Sequence, residues 1–407
     1  MESYIGDWLN LLLRWLHVIT GIAWIGSSFY FVFLDSSLVK PKSQELIDKG
    51  VDGELWAVHG GGFYNPQKYM VAPKQLPDHL HWFYWESYST WLTGFALFTV
   101  SYLWNASTYL IDKSLMNWSP GAAIGVVLSF FVMFWILYDA ICQLFGKGKN
   151  GDALVGAGVA VLVCAASYLA CHWFAGRAAF LLVGAMMATA MSANVFFWII
   201  PGQRKVVAAI KAGEPVDAVH GERGKQRSVH NTYFTLPVLF AMLSNHYSFT
   251  WSHPQNWLVL ILMMFAGAAI RQFFVLRHGY KLGRNRNPIA YALMGVAVIV
   301  GVIVWLKPNQ LATESIAASA RDFGARGQTD YQKIQAVLAQ RCYSCHGEQL
   351  QMKNVRLDSP VLVKQHAQSI YQQVVVTKIM PMNNATGITD AERELIKQWF
   401  EAGAKTE

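Results

Sequence analysis

Long apolar runs, separated by short polar stretches, dominate the first three quarters of the chain. A bilayer core takes about 20 mostly apolar residues per helix. Eight runs reach or approach that length: 8–34, 82–104, 121–145, 153–174, 177–200, 229–248, 255–277 and 288–306. The weakest, 229–248, is polar and contains Pro237. After Lys307-Pro308 no run is long enough to span, and the pattern becomes that of an ordinary soluble helical unit. The pattern predicts an all-α chain: a polytopic membrane helix bundle of about eight spans over residues 1–307, a linker over 308–329, and a small helical domain over 330–407. The first run is not expected to be a cleavable signal. It is too long, has Glu2 and Asp7 on its flank, and lacks a small-residue cleavage site.

Composition agrees. Hydrophobic residues make up 54% and charged residues 14%, where soluble chains carry about 25% charged residues; this excludes a wholly soluble, disordered or collagenous protein. The net charge of +8 divides unevenly, with 22 Lys/Arg against 15 Asp/Glu before residue 308 and 11 against 10 after it. With the N-terminus outside, the inside loops carry 17 Lys/Arg: Lys40, Lys42, Lys49, Lys68 and Lys74; Lys147 and Lys149; Arg204, Lys205, Lys211, Arg223, Lys225 and Arg227; Arg277, Lys281, Arg284 and Arg286. The outside loops carry only Lys113 and Arg177. The positive-inside rule then puts both the N-terminus and the C-terminal domain outside. The basic charge is a topology signal, and nucleic acid is not an expected partner.

The tail carries the most specific motif. Cys342-Tyr343-Ser344-Cys345-His346 is a C-x-x-C-H sequence, the pattern of c-type haem attachment. Two thiols one helical turn apart can form thioethers to the two haem vinyls, and the adjacent His346 then faces the iron. A second ligand is available in Lys378-Ile379-Met380-Pro381-Met382, which resembles the Met loop of small class I cytochromes c. Met380 is favoured over Met382 because the proline follows it directly. A capping box, Thr389-Asp390-Ala391-Glu392, opens a final helix with Leu395, Ile396, Trp399 and Phe400 on its apolar face. An opening helix around Tyr331–Gln340 would pack on it. The competing reading is a small domain closed by a Cys342–Cys345 disulfide. His/Met ligation raises the reduction potential, which suits onward transfer of electrons.

Ionisable residues inside spans are costly and point to function. Arg14, His17, Gly21, Trp24 and Ser28 share one face of the first span. His17, with Gly21 one turn on, offers an imidazole and a gap for a flat ring; the stretch resembles helices that hold b-type haem. The alternative is a His bonded to a neighbouring helix. His230 and His246 open and close the sixth region, 16 residues apart, roughly 24 Å along a helix, and so serve opposite sides. A His17/His246 pair would place a haem b iron near the outer face, close to the c-type haem, with His172 competing for that role. On the inner side stand Glu86, Asp139, Asn194, His230 and Arg271, with Thr90 and Thr93 on the Glu86 face. They form either a substrate site or an ion-pair network in which Arg271 neutralises Asp139 or Glu86. The loop before the second span holds Glu54, Trp56, His59-Gly60-Gly61-Gly62-Phe63-Tyr64, His79 and His81. Its length points to function, and the glycines suggest a close-fitting backbone lid. Cys142, Cys164 and Cys171 read as buried small hydrophobes.

The segments from Trp15 to Tyr30, from Val58 to Tyr64, and His230-Asn231-Thr232-Tyr233-Phe234-Thr235-Leu236-Pro237-Val238 through Ser244-Asn245-His246, followed by the C-x-x-C-H, resemble the bacterial membrane-bound urate oxidase (urate hydroxylase) family fused to a cytochrome c. The resemblance spans nearly the whole chain. It implies oxidation of urate to 5-hydroxyisourate, with electrons passed to the cytochrome domain and not to O₂. It implies an inner-membrane location with the cytochrome domain periplasmic, and an acceptor such as a soluble cytochrome c or a terminal oxidase. It does not assign catalytic residues in the membrane half. The residues themselves suggest Arg271 or His59 to hold the urate anion and Glu86 or His230 as general base, with Asp139 nearby. Two other classes stay open: a quinol-oxidising electron-transfer subunit, and a transporter or receptor bearing a cytochrome.

Overall fold

The computed structural model describes residues 2–70, 73, 76–112, 115–148, 150–307, 330–348, 351–352, 355–376 and 378–406. The expected linker over 308–329 lies outside the described residues, as do Lys74, Lys113 and Lys149.

Each of the eight apolar runs contributes a helix. In chain order these are α1 (Glu2–Ser37), a short α2 (Gln44–Asp48), α3 (Trp85–Phe98), a single turn α4 (Ala106–Tyr109), α5 (Pro120–Phe145), α6 (Gly151–Trp173), α7 (Gly176–Ala193), α8 (Ile200–Ala212), α9 (Ala218–Leu243), a single turn α10 (Ser248–Trp251), α11 (Asn256–Lys281) and α12 (Ile289–Trp305). Among the described residues five stretches are long and apolar enough to cross a membrane: 8–37 of α1, α5, α6, the run 176–212 through α7 and α8, and α11. Several long apolar helices of this kind suit a multi-pass membrane protein. The runs at 82–104, 229–248 and 288–306 fall short. α3 has 14 residues before a π-helical turn at Thr99–Leu103, and α12 has 17 residues. α9 starts well before its apolar run, at a cap where the Asp217 carboxylate accepts from the Val219 N–H at 3.0 Å. Arg223, Lys225 and Arg227 are therefore helical and not in a loop, and Arg227 is buried.

The packing follows from sequence spacing. On α5, Ser119 caps the helix with Pro120 in its first turn, and Ala123, Val127, Phe131, Phe134, Tyr138 and Cys142 repeat at three and four residues on its buried face. That face meets α6 and α7. α7 sits deepest, with Phe180, Leu182, Met186 and Met187 buried. α1 runs along the outside of the bundle against α3 and α11, leaving Trp15, Leu16 and Ile22 exposed. Such an apolar outer face is what lipid accepts.

The all-α expectation needs one amendment. The segment after α2 forms four short strands: β1 (Gly53–Glu54) pairs with β4 (Gln67–Lys68), and β2 (Ala57–His59) with β3 (Gly62–Tyr64). Gly60 and Gly61 both have positive φ, 56° and 82°, and make the two-residue turn of the β2–β3 hairpin. The segment expected to form a backbone lid is thus a hairpin. The glycines are there for turn geometry, and a side chain added at either would meet nothing within 4 Å.

The C-terminal residues build a second hydrophobic core. α13 (Asp330–Arg341), α14 (Tyr343–His346), α15 (Pro360–Gln365), α16 (Ala367–Ile370) and α17 (Asp390–Glu401) surround Ile334, Leu338, Val363, Ile370, Ile396 and Trp399. The capping box forms as its residues predict. The Thr389 Oγ1 accepts from the Glu392 N–H at 3.2 Å, and the Glu392 carboxylate accepts from the Thr389 N–H at 2.6 Å.

Candidate functional site

A cavity of about 1870 Å³ runs between the two halves of the chain. Small-molecule pockets usually measure about 300–1,000 Å³, so this one has room for more than one ordinary occupant. His17, Gly21 and His246 line it from the helical bundle; Cys342, Cys345, His346 and Met380 line it from the C-terminal unit. His172 is not on its wall; its Nδ1 meets the Tyr168 carbonyl at 2.7 Å.

At the C-terminal end, Cys342 closes α13 and His346 ends α14, which brings both thiols and the imidazole to one corner. Both cysteines are free, not joined as the competing disulfide reading requires. Burial pushes the Cys342 thiol up to about 12. The His346 Nδ1 lies 3.2 Å from the Val355 carbonyl, a contact that fixes the ring and leaves Nε2 for a ligand. Met380 lines the same cavity; its carbonyl accepts from the buried Arg393 at 2.9 Å, and Arg393 also donates to the Val374 carbonyl. Two thiols, an oriented imidazole and a thioether on one cavity wall are a donor set that fits a covalently attached haem.

In the bundle, the His17 ring lies against Gly94 of α3. A Cβ there would come within 2.7 Å of its Cε1, so only glycine admits the ring. The Nδ1 is 3.1 Å from the Thr90 carbonyl and 3.2 Å from the Thr93 Oγ1. Among the described residues Nε2 has no hydrogen-bond partner. Gly21, one turn on, meets nothing within 4 Å and faces the cavity. An imidazole with a fixed Nδ1, an uncommitted Nε2 and a bare backbone beside it fits a second flat, iron-bearing ring. His246 follows α9 in a 3₁₀ turn at Ser244–His246 on the same wall. Among the described residues no group of three His, Cys, Asp or Glu could hold a bare metal ion.

Of the five residues singled out on the inner side, Asp139, Asn194 and His230 meet in one network and Glu86 and Arg271 do not join it. Asp139 pairs with Arg227 at 2.6 Å and accepts from the Trp198 indole at 2.7 Å and from Gln143 at 2.5 Å. The cation that neutralises it is Arg227 and not Arg271, because α9 rather than α11 brings its arginine to this carboxylate. His230 is tied to the same network: its Nδ1 is 2.8 Å from the Tyr138 hydroxyl. Asn194 donates to that hydroxyl at 3.0 Å and to Asn231 at 2.9 Å. Cys142 joins at 3.8 Å from Nδ1, so it is more than filler; Cys171 is buried and Cys164 half-buried. His59 is exposed on the hairpin. Arg271 and Glu86 stand outside the network, in which the Asn194 Oδ1 and the Arg227 Nη1 are also buried without a partner. Arg271 is buried with its Cζ 4.0 Å from the Phe29 ring centroid, and its Nε and Nη2 have no partner. The Glu86 Oε2 is likewise buried and unpartnered.

The family model described as urate oxidase N-terminal matches residues 3–307. The chain belongs to the urate oxidase N-terminal family. It is a urate-related oxidoreductase. No curated protein and no solved structure matches it. The match covers His17, Gly94 and the polar network of this urate oxidase-family chain, and stops before the C-x-x-C-H. The residues that sequence reasoning missed in it are Gly94, Tyr138, Arg177, Arg227 and Arg393. Arg227 had a signal, the Arg-x-x-His spacing to His230 along one helix face. Gly94 had only its place one residue after Thr93, and Arg177 was counted as a loop charge.

Proposed function

We propose that this membrane oxidoreductase oxidises urate to 5-hydroxyisourate and delivers the electrons through a c-type haem to the respiratory chain. The balance is urate plus water giving 5-hydroxyisourate, two protons and two electrons. Family membership supports urate. The observation that carries the electron route is the single cavity on whose wall the C-x-x-C-H residues, Met380 and His17 all lie. Cys342 and Cys345 would attach the haem and His346 and Met380 would bind its iron, and His17 with His246 would hold a b-type haem. Haem in these places supplies one-electron acceptors whose potential the axial ligands set.

The chain's own residues divide the remaining work. Arg271, whose Nε and Nη2 are unspent, holds the urate anion. Glu86, with an unspent carboxylate oxygen, takes the proton from the attacking water. His230 and Asp139 are committed to Tyr138 and Arg227 and position helices. The charge bias of the loops supports an inner-membrane orientation with residues 330–407 periplasmic, handing electrons to a soluble cytochrome c or a terminal oxidase. The test is anaerobic mixing of the oxidised full-length protein with urate or with a quinol. Reduction of the covalent haem by urate, with 5-hydroxyisourate formed, is expected. Reduction by quinol alone overturns the reading in favour of an electron-transfer subunit, and uptake of urate without haem reduction would favour a transporter.

A further inference from the structure

The cavity wall is oddly charged. Three arginines line it, Arg14, Arg177 and Arg341, together with four histidines, and among the described residues no aspartate or glutamate does. Arg341 is neutralised, with its Nε 3.0 Å from the Glu392 carboxylate. Arg14 and Arg177 have no carboxylate within ion-pair distance among the described residues. Arg14 lies one turn before His17 on the same helix face and gives one N–H to Asn10 at 3.1 Å. Arg177 gives Nε to Asn245 at 3.0 Å, and its Nη1 lies 3.7 Å from the Met382 sulfur. The Tyr102 hydroxyl donates to the same Asn245 oxygen at 2.8 Å, so Asn245 and Tyr102 fix the arginine beside His246. Asn10, which holds Arg14, itself donates to the Ser101 hydroxyl at 2.8 Å, and Ser101 precedes the Tyr102 that shares Asn245 with Arg177, so the two arginines stand at one end of the cavity.

A guanidinium carries five donors, and here most are uncommitted. Arg14 is exposed along α1 and Arg177 half-buried; cations within a membrane bundle that lack a counter-charge are costly, and an anion in the cavity would complete them. We infer that Arg14 and Arg177 hold the two carboxylates of the tetrapyrrole whose iron His17 ligates, and so orient that ring in the cavity. This rests on the proposed b-type haem at His17. The wall is mainly apolar, with Leu11, Val18, Ile22, Leu181 and Val238 among its lining residues and Asn10, Ser101 and Asn245 beside the arginines. A ring that is apolar over its faces and anionic on one edge matches the wall.

The test uses the purified full-length protein as wild type, R14Q, R177Q, R14Q/R177Q and R14K/R177K. Acid-acetone extraction followed by pyridine haemochrome spectra counts extractable and covalent haem separately, and redox titration gives the potential of each. The wild type is expected to hold extractable haem beside covalent haem. The double Gln variant should lose most of the extractable haem, and any that remains should titrate at a lower potential, because removing cations disfavours the reduced, more negative form. The Lys pair should retain it in large part. Covalent haem should be unchanged throughout, and a wild-type melting temperature and elution volume in detergent show that the bundle of each variant folds. Extractable haem unchanged in amount and potential in the double Gln variant overturns the inference while leaving the His17 reading intact. Loss of urate binding with unchanged haem spectra also overturns it and makes the arginines substrate ligands. A wild type with covalent haem alone overturns both.

Discussion

Gly94→Ala separates the proposed ligand role of His17 from a packing role. The added methyl would sit 2.7 Å from the His17 Cε1 and 3.2 Å from its Nδ1. Ordinary contact begins near 3.4 Å, so the ring must retreat by about 0.7 Å, more than the roughly 0.5 Å within which a functional side chain must be held. The retreat weakens the contacts of Nδ1 with Thr90 and Thr93, at about 1 kcal/mol each. Against this, alanine in a helix interior gains about 0.5–1 kcal/mol over glycine. The net loss is about 1–1.5 kcal/mol, so thermal stability in detergent should fall only slightly. The cofactor should not be spared: extractable haem should fall several-fold, or its absorption bands should shift, with covalent haem intact. Gly21→Ala, which meets no atom of the protein, should disturb haem without moving His17. If Gly94→Ala keeps its full complement of extractable haem with an unchanged spectrum, His17 is not the ligand. If it loses several kcal/mol of stability instead, the glycine serves helix packing.

Asp139→Asn leaves the buried Arg227 charge unpaired and should cost about 3–5 kcal/mol, read as a lower melting temperature with haem content unchanged. Met380→His should lower the potential of the covalent haem, since His/Met ligation raises it, while Met382→Leu should leave it in place; redox titration showing the reverse would make Met382 the ligand. Thr389→Ala should cost about 1 kcal/mol of helix capping, seen as faster hydrogen exchange in α17. Burial alone would raise the Glu392 carboxyl, but hydrogen bonds from Thr389 and Arg341 outweigh it and hold the group below the usual carboxylate range. Its stabilisation is therefore full above the unfolded carboxylate value, about 4.3, and is lost as pH falls through the lower folded value; Glu392→Gln should flatten that acid limb.

The positions of the helices were legible because lipid-facing and buried helices need apolar runs, and the eight runs all became helices. Their ends were less so. α9 runs back to Ala218 because capping by Asp217, not apolarity, decides where it begins. The hairpin was legible in principle, since Gly-Gly between short extended runs is the chemistry of a two-residue turn; the aromatic neighbours drew the reading toward a lid. Partnerships across the bundle were not legible. Nothing in the first span says that His17 will meet Gly94, and the charges alone do not say whether Arg227 or Arg271 reaches Asp139. Those choices depend on which helices touch, and that is set by the fit of many side chains at once. In the tail the spacing of Cys342, Cys345 and His346 is local, so the sequence could place them together; the Arg393 hold on Met380 is not local and went unseen.

What distinguishes structural from functional polar residues here is how much hydrogen-bonding capacity they have left. Asp139, Arg227, Tyr138, His230, Asn194 and Asn231 are bonded largely to one another, with the Asn194 Oδ1 and the Arg227 Nη1 left over among their buried atoms, and such a network stiffens the contacts among α5, the turn at Asn194–Ile199 between α7 and α8, and α9. His17, Arg14 and Arg177 have fixed orientations but unspent donors or lone pairs directed at a cavity, and Arg271 and Glu86 have unspent atoms in the protein interior. Burying unspent polar atoms costs stability, so the fold tolerates them where a substrate or cofactor completes them. The two groups should therefore respond oppositely. Substitutions in the closed network lower the melting temperature and leave haem and urate binding intact; substitutions in the open group move the melting temperature far less and remove the ligand. Asp139→Asn and Gly94→Ala, measured side by side for both quantities, decide whether that division holds.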